Sequence, residues 1–435
     1  MTGHDAVIVG AGPAGAALAA CLARSGFSVL LLERDTLKDG APQRRVLRGE
    51  WIAPWGVKEL QALGLYDAVA ADAQLITRHI RYDRMDVSTP LEESVLDLSS
   101  LVPGVAGPLG IEYPRLRRVL VGQAVQAGVD LQDGAHLIDI VTGQAPFVTY
   151  EANGVDVRAT ARVIIGADGR AGVTRKKFGA SLHTPPLHHY ICGLLIGPVG
   201  RMSGEVELNV VAEKIALMTN GVGEGRFRTY LYFDPETFRS IGSWRLADMY
   251  RTAMQIDGVP GLAEITAGRA IGAGLGMPNT PTWIDRPYAH GGALIGDAAG
   301  SDDPTTGQGL SIAFRDVRLV AEILKESADW GHPDLFRPYA RDKAETLRRL
   351  RFTSAVFSIR DAEFTEAASR RRRDVRRRLV KDPARGLGLL SQYLGPDRLP
   401  ESAFSEDAWR AIFDGTAEPP DFITDGPNHA ESLYV

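Results

Sequence analysis

Three glycines in the spacing Gly10-x-Gly12-x-x-Gly15 stand between the apolar run Ala6-Val7-Ile8-Val9 and an alanine- and leucine-rich stretch from Ala16 to Arg24. In that setting each glycine has a job. Gly10 permits a tight turn, Gly12 lets backbone approach a pyrophosphate, and Gly15 lets a helix pack closely on a strand. The helix N-terminus that follows offers free N–H groups and a partial positive charge to phosphates. Pro13 and Ala14 complete the turn. A second apolar run, Ser28 to Leu32, ends at Glu33 and Arg34. A carboxylate there can accept hydrogen bonds from both hydroxyls of a ribose. This pattern predicts dinucleotide binding, and the acid alone does not choose between FAD and NAD.

Two further clusters make that choice. Gly292 to Gly300 reads as a strand ending in Gly296-Asp297, followed by Pro304-Thr305-Thr306-Gly307-Gln308-Gly309-Leu310 at the start of a long helix. This resembles the Gly-Asp motif of the glutathione-reductase-like FAD enzymes. The resemblance implies that Asp297 binds the ribityl chain and that the Gly307–Gly309 turn, with Pro304, Gln308 and Leu310, presents N–H groups to the flavin ring. Gly166-Ala167-Asp168-Gly169-Arg170, running on to Thr174-Arg175, resembles the Asp-Gly fingerprint of the flavoprotein monooxygenases related to p-hydroxybenzoate hydroxylase. It places Asp168 near the pyrophosphate region. The family's usual Ser is replaced by Gly172. The three motifs stand in family order and cover the chain to about residue 330.

Finer marks are mixed. Arg48-Gly49-Glu50, with Pro54 and Gly56, is similar to the loop beside the flavin in geranylgeranyl-reductase-like and halogenase relatives. Arg48 is either a flavin-facing cation or a solvated loop arginine. Tyr113 stands where the family has an Arg at a helix start, before Leu116 and Leu120. The halogenase Trp-x-Trp-x-Ile-Pro signature is absent: Trp244 stands alone and Trp283-Ile284 lacks the pattern.

The resemblance implies chemistry carried by the cofactor. NAD(P)H reduces FAD, O2 adds at flavin C4a, and the hydroperoxide hydroxylates or epoxidises an aromatic or polycyclic small molecule. The alternative is a reductase or oxidase of a prenyl-like apolar substrate without oxygen insertion. No second Gly-x-Gly-x-x-Gly exists for nicotinamide, so transient binding and a separate flavin reductase both remain as electron sources. Tyr230 and Tyr232 alternate with Leu231 and Phe233, so the two tyrosines share one strand face. They either contact substrate or only pack with satisfied hydroxyls. His189 is the candidate proton acceptor for a phenol, since an imidazole titrates near neutrality; packing is its other reading. His188 and His189, adjacent in a predicted strand, should face opposite sides and hold no metal.

The elements that must position these residues form an α/β protein, α+β overall. A Rossmann-like FAD-binding unit is expected from 1–75, 113–185 and 286–330. It is interleaved with an antiparallel β-sheet substrate unit from 76–112 and 186–285, in which only 244–256 reads as helix. A helical, arginine-rich region follows from 331 to 435. Residues 36–56 read as loop.

Composition agrees with a soluble globular protein. The 435 residues carry a net charge of −5, which gives no global field for nucleic acid. Arg370 to Arg373 and Arg376 to Arg378 read as a solvated or interface helix. Two cysteines, Cys21 and Cys192, exclude a disulfide framework. Ala6 to Ala23 is uncharged and nearly long enough to span a membrane, but its glycines and the acidic Asp5 before it argue against a span or a signal peptide. A reducing cytoplasm is the expected location.

Overall fold

The computed structural model describes residues 2–37, 50–84, 89–199, 203–212, 215–240 and 258–424. Arg48 and the expected helix at 244–256 lie outside them. The uncharged N-terminal stretch divides into a strand, Thr2–Val9, and a helix, Pro13–Arg24. Among the described residues no helix is long and apolar enough to cross a membrane.

Four strands join Thr2–Val9 in a parallel array. The order is Gly292–Leu294, Val155–Gly166, Thr2–Val9, Val29–Leu32 and Asp130–Gln132. Strands buried on both faces are read as unbroken apolar runs, and Ala6, Val7 and Ile8 are fully buried. Two antiparallel strands, His136–Val141 and Phe147–Ala152, extend from Val155–Gly166 as the expected meander. The Pro13–Arg24 helix packs with the Gly309–Glu326 helix over one side of this sheet, in a core of Leu18, Leu22, Phe314 and Val317.

The second sheet has seven strands, in the order Ala270–Asn279, His189–Ile196, Arg226–Phe233, Ile215–Gly223, Val206–Ala212, Arg78–Arg84 and Glu92–Asp97. It is antiparallel except where Val206–Ala212 runs parallel to Arg78–Arg84. Arg78–Arg84 comes from an earlier part of the chain than the other strand of that pair. Leu231 and Phe233 pack into one core and Tyr230 and Tyr232 into another, as strand alternation requires.

The loop expected over 36–56 is shorter than read. Trp51–Ile52 pairs with Leu109–Gly110, and a helix begins within the expected loop, at Pro54. Proline is well placed at the first turn of a helix, where its missing N–H has no partner to lose.

The long helix Arg337–Asp361 ties the molecule together. Near its start the Tyr339 hydroxyl donates to the Leu294 carbonyl at 2.8 Å, and Lys343 Nζ meets Asp316 at 2.7 Å, both side chains buried. At its end Asp361 receives Arg81 of the second sheet through two hydrogen bonds of 2.8 and 2.9 Å. Arg81 also grips Asp83, which in turn meets Arg376. The arginine-rich helix, Glu366–Lys381, is therefore a structural clasp. Arg370, Arg371, Arg377 and Arg378 pair with Glu366, Glu363, Asp374 and Asp414, and buried Arg372 donates to the Arg360 and Glu363 carbonyls.

Burial alone would push the Asp361 carboxyl up, but the Arg360 and Arg81 guanidiniums hold it well below the usual carboxylate range. A folded-state value below the unfolded one gives stability that is present above about pH 4 and is lost as pH falls. Asp361→Asn should cost about 3–5 kcal/mol at pH 7, since it leaves buried guanidinium charge uncompensated. The gap from the parent should narrow below about pH 4. Urea unfolding at several pH values measures this; a cost under about 1 kcal/mol would mark the contact as no more than a surface pair.

Candidate functional site

The three glycine clusters meet at the C-terminal edge of the parallel sheet. Val9, Leu32, Gly166 and Leu294 end four adjacent strands there, the edge at which open α/β sheets place ligands. Ala167 N donates to Val9 O at 2.8 Å, Gly10 N to Leu32 O at 2.8 Å, and Ile295 N to Gly166 O at 2.9 Å. Gly10 has φ +106°, and a Cβ on it would lie 2.6 Å from Ala167 O. A Cβ on Gly15 would lie 1.9 Å from Gly10 O. Both glycines are demanded by backbone packed on backbone.

Gly12 and Gly309 are different. Gly12 caps the Pro13–Arg24 helix, and Gly309 opens the Gly309–Glu326 helix. A Cβ on Gly12 would meet only the Tyr113 hydroxyl, at 3.6 Å, and one on Gly309 would meet nothing within 4 Å. Among the described residues no atom requires glycine at either place. Neither helix has a side-chain cap, and the N–H groups of Ala14 and Gly15 have no carbonyl four residues back within the helix. Open space beside uncapped helix starts fits a bound phosphate and an electron-rich ring.

Glu33 is buried and holds the turn from the side. Its Oε2 accepts from Ala11 N at 2.9 Å and pairs with Arg117 at 2.8 Å, while Oε1 accepts from Asp35 N at 2.9 Å. Arg117 also donates to Ala11 O at 3.0 Å. The sequence reading missed Arg117. It lies one helical turn beyond Tyr113, where the family's arginine was sought, and i,i+4 neighbours share a helix face. Arg34 instead faces solvent beside Asp35.

Asp168 turns inward. Its carboxyl accepts from Thr174 N at 2.9 Å and Thr174 Oγ1 at 2.5 Å. A Cβ on Gly172 would lie 2.1 Å from that carboxyl. The departure from the family pattern at Gly172 is thus what lets Asp168 brace its own loop. Arg175 donates to Arg170 O at 2.7 Å and Ala298 O at 3.3 Å, and Arg170 to Ser301 Oγ at 3.1 Å, which joins the second and third clusters. Gly296 N donates to buried Asp316 at 2.8 Å, so the Lys343–Asp316 pair anchors the Gly-Asp turn. Asp297 sits next to it, half-buried. Gly307 has φ +69° and packs against Trp51, whose ring lies 3.1 Å from where its Cβ would be. Gln308 is fully buried and accepts from Trp55 Nε1 at 2.8 Å. Pro304 and Leu310 flank this turn.

Residues 4–196 match the FAD binding domain family. That match gives the chain an FAD binding domain of the kind that FAD-dependent oxidoreductases carry. It is 27 % identical over 356 residues to digeranylgeranylglycerophospholipid reductase 1 of Methanopyrus kandleri, across 75 % of this chain and 81 % of that protein. It is 28 % identical over 342 residues to squalene monooxygenase SE2 of Panax ginseng, across 75 % of this chain and 58 % of that protein. The chain therefore spans little more than half the length of that monooxygenase. The fold is shared with p-nitrophenol 4-monooxygenase from Pseudomonas putida, at a TM-score of 0.75 and 18 % identity over 92 % of this chain and all of the other.

The residues present fit FAD. The Gly12–Gly15 turn would hold its pyrophosphate, Glu33 a ribose, Asp297 the ribityl chain, and the Gly307–Gly309 amides the flavin ring.

Beside the Thr305–Gly307 turn lies a cavity of about 320 Å³. The second sheet forms one wall, and the helical segment from Phe357 to Tyr393 forms the other. Tyr232 lines it and reaches the Thr305 carbonyl at 3.4 Å. Tyr230 shares the strand face but lies away from the cavity, near the buried Arg228–Glu50 pair. His189 does not line the cavity either. It is fully buried, with Nε2 at 2.5 Å from Asn279 Nδ2 and 3.2 Å from Thr305 Oγ1. Its Nδ1 touches His188 Nδ1 at 3.0 Å. The expected opposition of the two rings fails because His188 precedes the strand, where alternation does not apply. Among the described residues no cluster of three metal-ligating side chains occurs. Burial pushes the Cys21 and Cys192 thiols up to about 11 and about 12, which leaves neither as a nucleophile at neutral pH.

Two outcomes follow from this geometry. Gly309→Ala should leave the unfolding of FAD-free protein within about 1 kcal/mol of the parent while weakening FAD affinity about tenfold or more. Gly15→Ala should itself lose about 1–3 kcal/mol from steric overlap. Urea melts and flavin-fluorescence titration separate the two; Gly309→Ala with parental FAD affinity would place the ring elsewhere. His189 is pushed down to about 4, chiefly by burial. The unfolded chain then binds this proton first, so stability is lost as pH falls from about 6.5 toward about 4, by up to about 1.4 kcal/mol per unit. His189→Gln should flatten that slope; an unchanged slope would assign it to other groups.

Proposed function

We propose that this protein is an FAD-dependent monooxygenase that uses NAD(P)H and O2 to hydroxylate or epoxidise an aromatic or polycyclic small molecule. The observation that carries the reading is the cavity beside the Thr305–Gly307 turn. Its walls include Trp51, Leu96, Met218, Phe357 and Leu389. Ligand pockets run from about 300 to 1,000 Å³, so about 320 Å³ suits a molecule of a few rings.

Bound FAD would supply the redox chemistry, taking a hydride and activating dioxygen. This chain's own residues then have three tasks. The glycine turns and Glu33 hold the cofactor. The sheet wall and the Phe357–Tyr393 segment exclude water and fix the substrate's orientation, both of which an oxygen transfer requires. The buried Asp302–Asp303 pair shapes the Thr305–Gly307 turn: Asp303 accepts from Thr305 N at 2.8 Å and from Ser358 at 3.1 Å, and Asp302 accepts from Ser354 at 2.9 Å. Burial beside the Asp303 carboxylate pushes Asp302 up to about 7. Reducing equivalents come from transiently bound NAD(P)H or from a separate flavin reductase. Two buried, unpaired thiols suit a reducing cytoplasm.

A second reading, reduction of a prenyl-like substrate, is favoured by the 81 % coverage of the archaeal reductase. The cavity's size weighs against it, since a long polyprenyl chain would not be held whole. The FAD-loaded protein should oxidise NADPH or NADH faster with its substrate under air, and ¹⁸O from labelled dioxygen should enter the product. Turnover that persists under nitrogen, with no label in product, would replace oxygenation by the reductase reading.

A further inference from the structure

The one parallel pair in the second sheet sets His79 directly beside Glu207. Both side chains point to the sheet face that walls the cavity. His79 Nδ1 lies 3.6 Å from Glu207 Oε1, too far for a hydrogen bond. Neither His79 Nδ1 nor Glu207 Oε2 finds a hydrogen-bond partner among the described residues, and both atoms are buried. Glu207 as a whole is only 6 % exposed. Folded proteins leave few buried polar atoms unpaired, because each costs stability. Two at the cavity wall, on neighbouring strands, point to a ligand that completes them.

The donor and acceptor types select the ligand. A carboxylate oxygen asks for a donor, and the imidazole nitrogen takes either role. A hydroxyl both donates and accepts, so one oxygen placed between the two side chains can serve both. An ether oxygen only accepts and leaves Glu207 unpaired. An ammonium can donate to both only while the imidazole nitrogen carries no proton, and it brings a second charge out of water, whereas a hydroxyl fits either state of the ring without one. The neighbouring wall is mixed: Leu96, Met218 and Tyr393, whose ring stands 6.1 Å from the His79 ring centre, lie beside Asn209, Arg81 and Arg360, and both arginines are already paired with Asp361.

We propose that Glu207 and His79 are the specificity-determining pair of this enzyme, and that they read a single hydroxyl group on an otherwise apolar substrate. The proposal rests on the cavity being the substrate site. Removal of the carboxyl is expected to relieve an unpaired buried group rather than break a structural contact, so stability should not fall.

Calorimetry on the FAD-loaded protein with 2-naphthol, 2-methoxynaphthalene and 2-naphthylmethylamine tests it. The naphthol should bind about tenfold or more tightly than the other two. Glu207→Leu should abolish that preference while its melting temperature stays at or above the parent's. His79→Phe should shrink the preference. The proposal is overturned if no hydroxyl preference exists, including the case in which none of the three probes binds. It is also overturned if Glu207→Leu keeps the preference, or if it lowers the melting temperature as a structural carboxyl would. A hydroxyl preference in a protein that inserts no labelled oxygen would leave this assignment standing and remove the monooxygenase reading alone.

Discussion

A Cβ on Gly15 would lie 1.9 Å from the Gly10 oxygen, and one on Gly10 would lie 2.6 Å from the Ala167 oxygen. This double contact brings the first helix, the first strand and the Asp168 loop together at one sheet edge. From it follows the position of the free helix start at Gly12. The Gly-Asp turn is then drawn to the same edge through Ile295 and Gly166. A side chain at either glycine would separate these segments, and the uncapped amides would no longer face one volume. The two glycines that packing does not require, Gly12 and Gly309, border that volume. Glycine here divides into positions that build the cradle and positions that leave it open.

The long helix Arg337–Asp361 carries the second constraint. Tyr339 and Lys343 fix it to the parallel sheet and its Gly-Asp turn, Ser354 and Ser358 to the Asp302–Asp303 loop, and Asp361 to Arg81 of the second sheet. One rigid element thus sets the distance between the cofactor turn and the sheet that walls the cavity. The arginines that follow close the arrangement with ion pairs, and their density answers intramolecular acids rather than a nucleic acid.

The cofactor half of the site was legible because its signals are local. Each glycine cluster occupies a few residues, follows an apolar strand and opens a helix, and the strands and helices around them fall close to where periodicity puts them. The cavity half was not. Glu207 and His79 become neighbours only through a strand register between segments more than a hundred residues apart. Strand alternation puts His79 and Arg81 on one face, but nothing local says what that face meets. His189 drew attention by residue type, yet its neighbours Asn279 and Thr305 come from distant segments and lock it away. Asp168 and Arg117 exchanged expected prominence for the same reason: a side chain's direction depends on loop packing that spacing does not encode.

If the glycine turns hold FAD as proposed, its ring would face the cavity beside Thr305–Gly307. A crystal structure of the protein with FAD tests this most directly. Pyrophosphate oxygens are expected on the amides of the Gly12–Gly15 turn, a ribose at Glu33, and the flavin ring along Gly307–Gly309 with one face open to the cavity. A flavin ring turned away from that cavity, or a dinucleotide bound at another edge of the sheet, would contradict it.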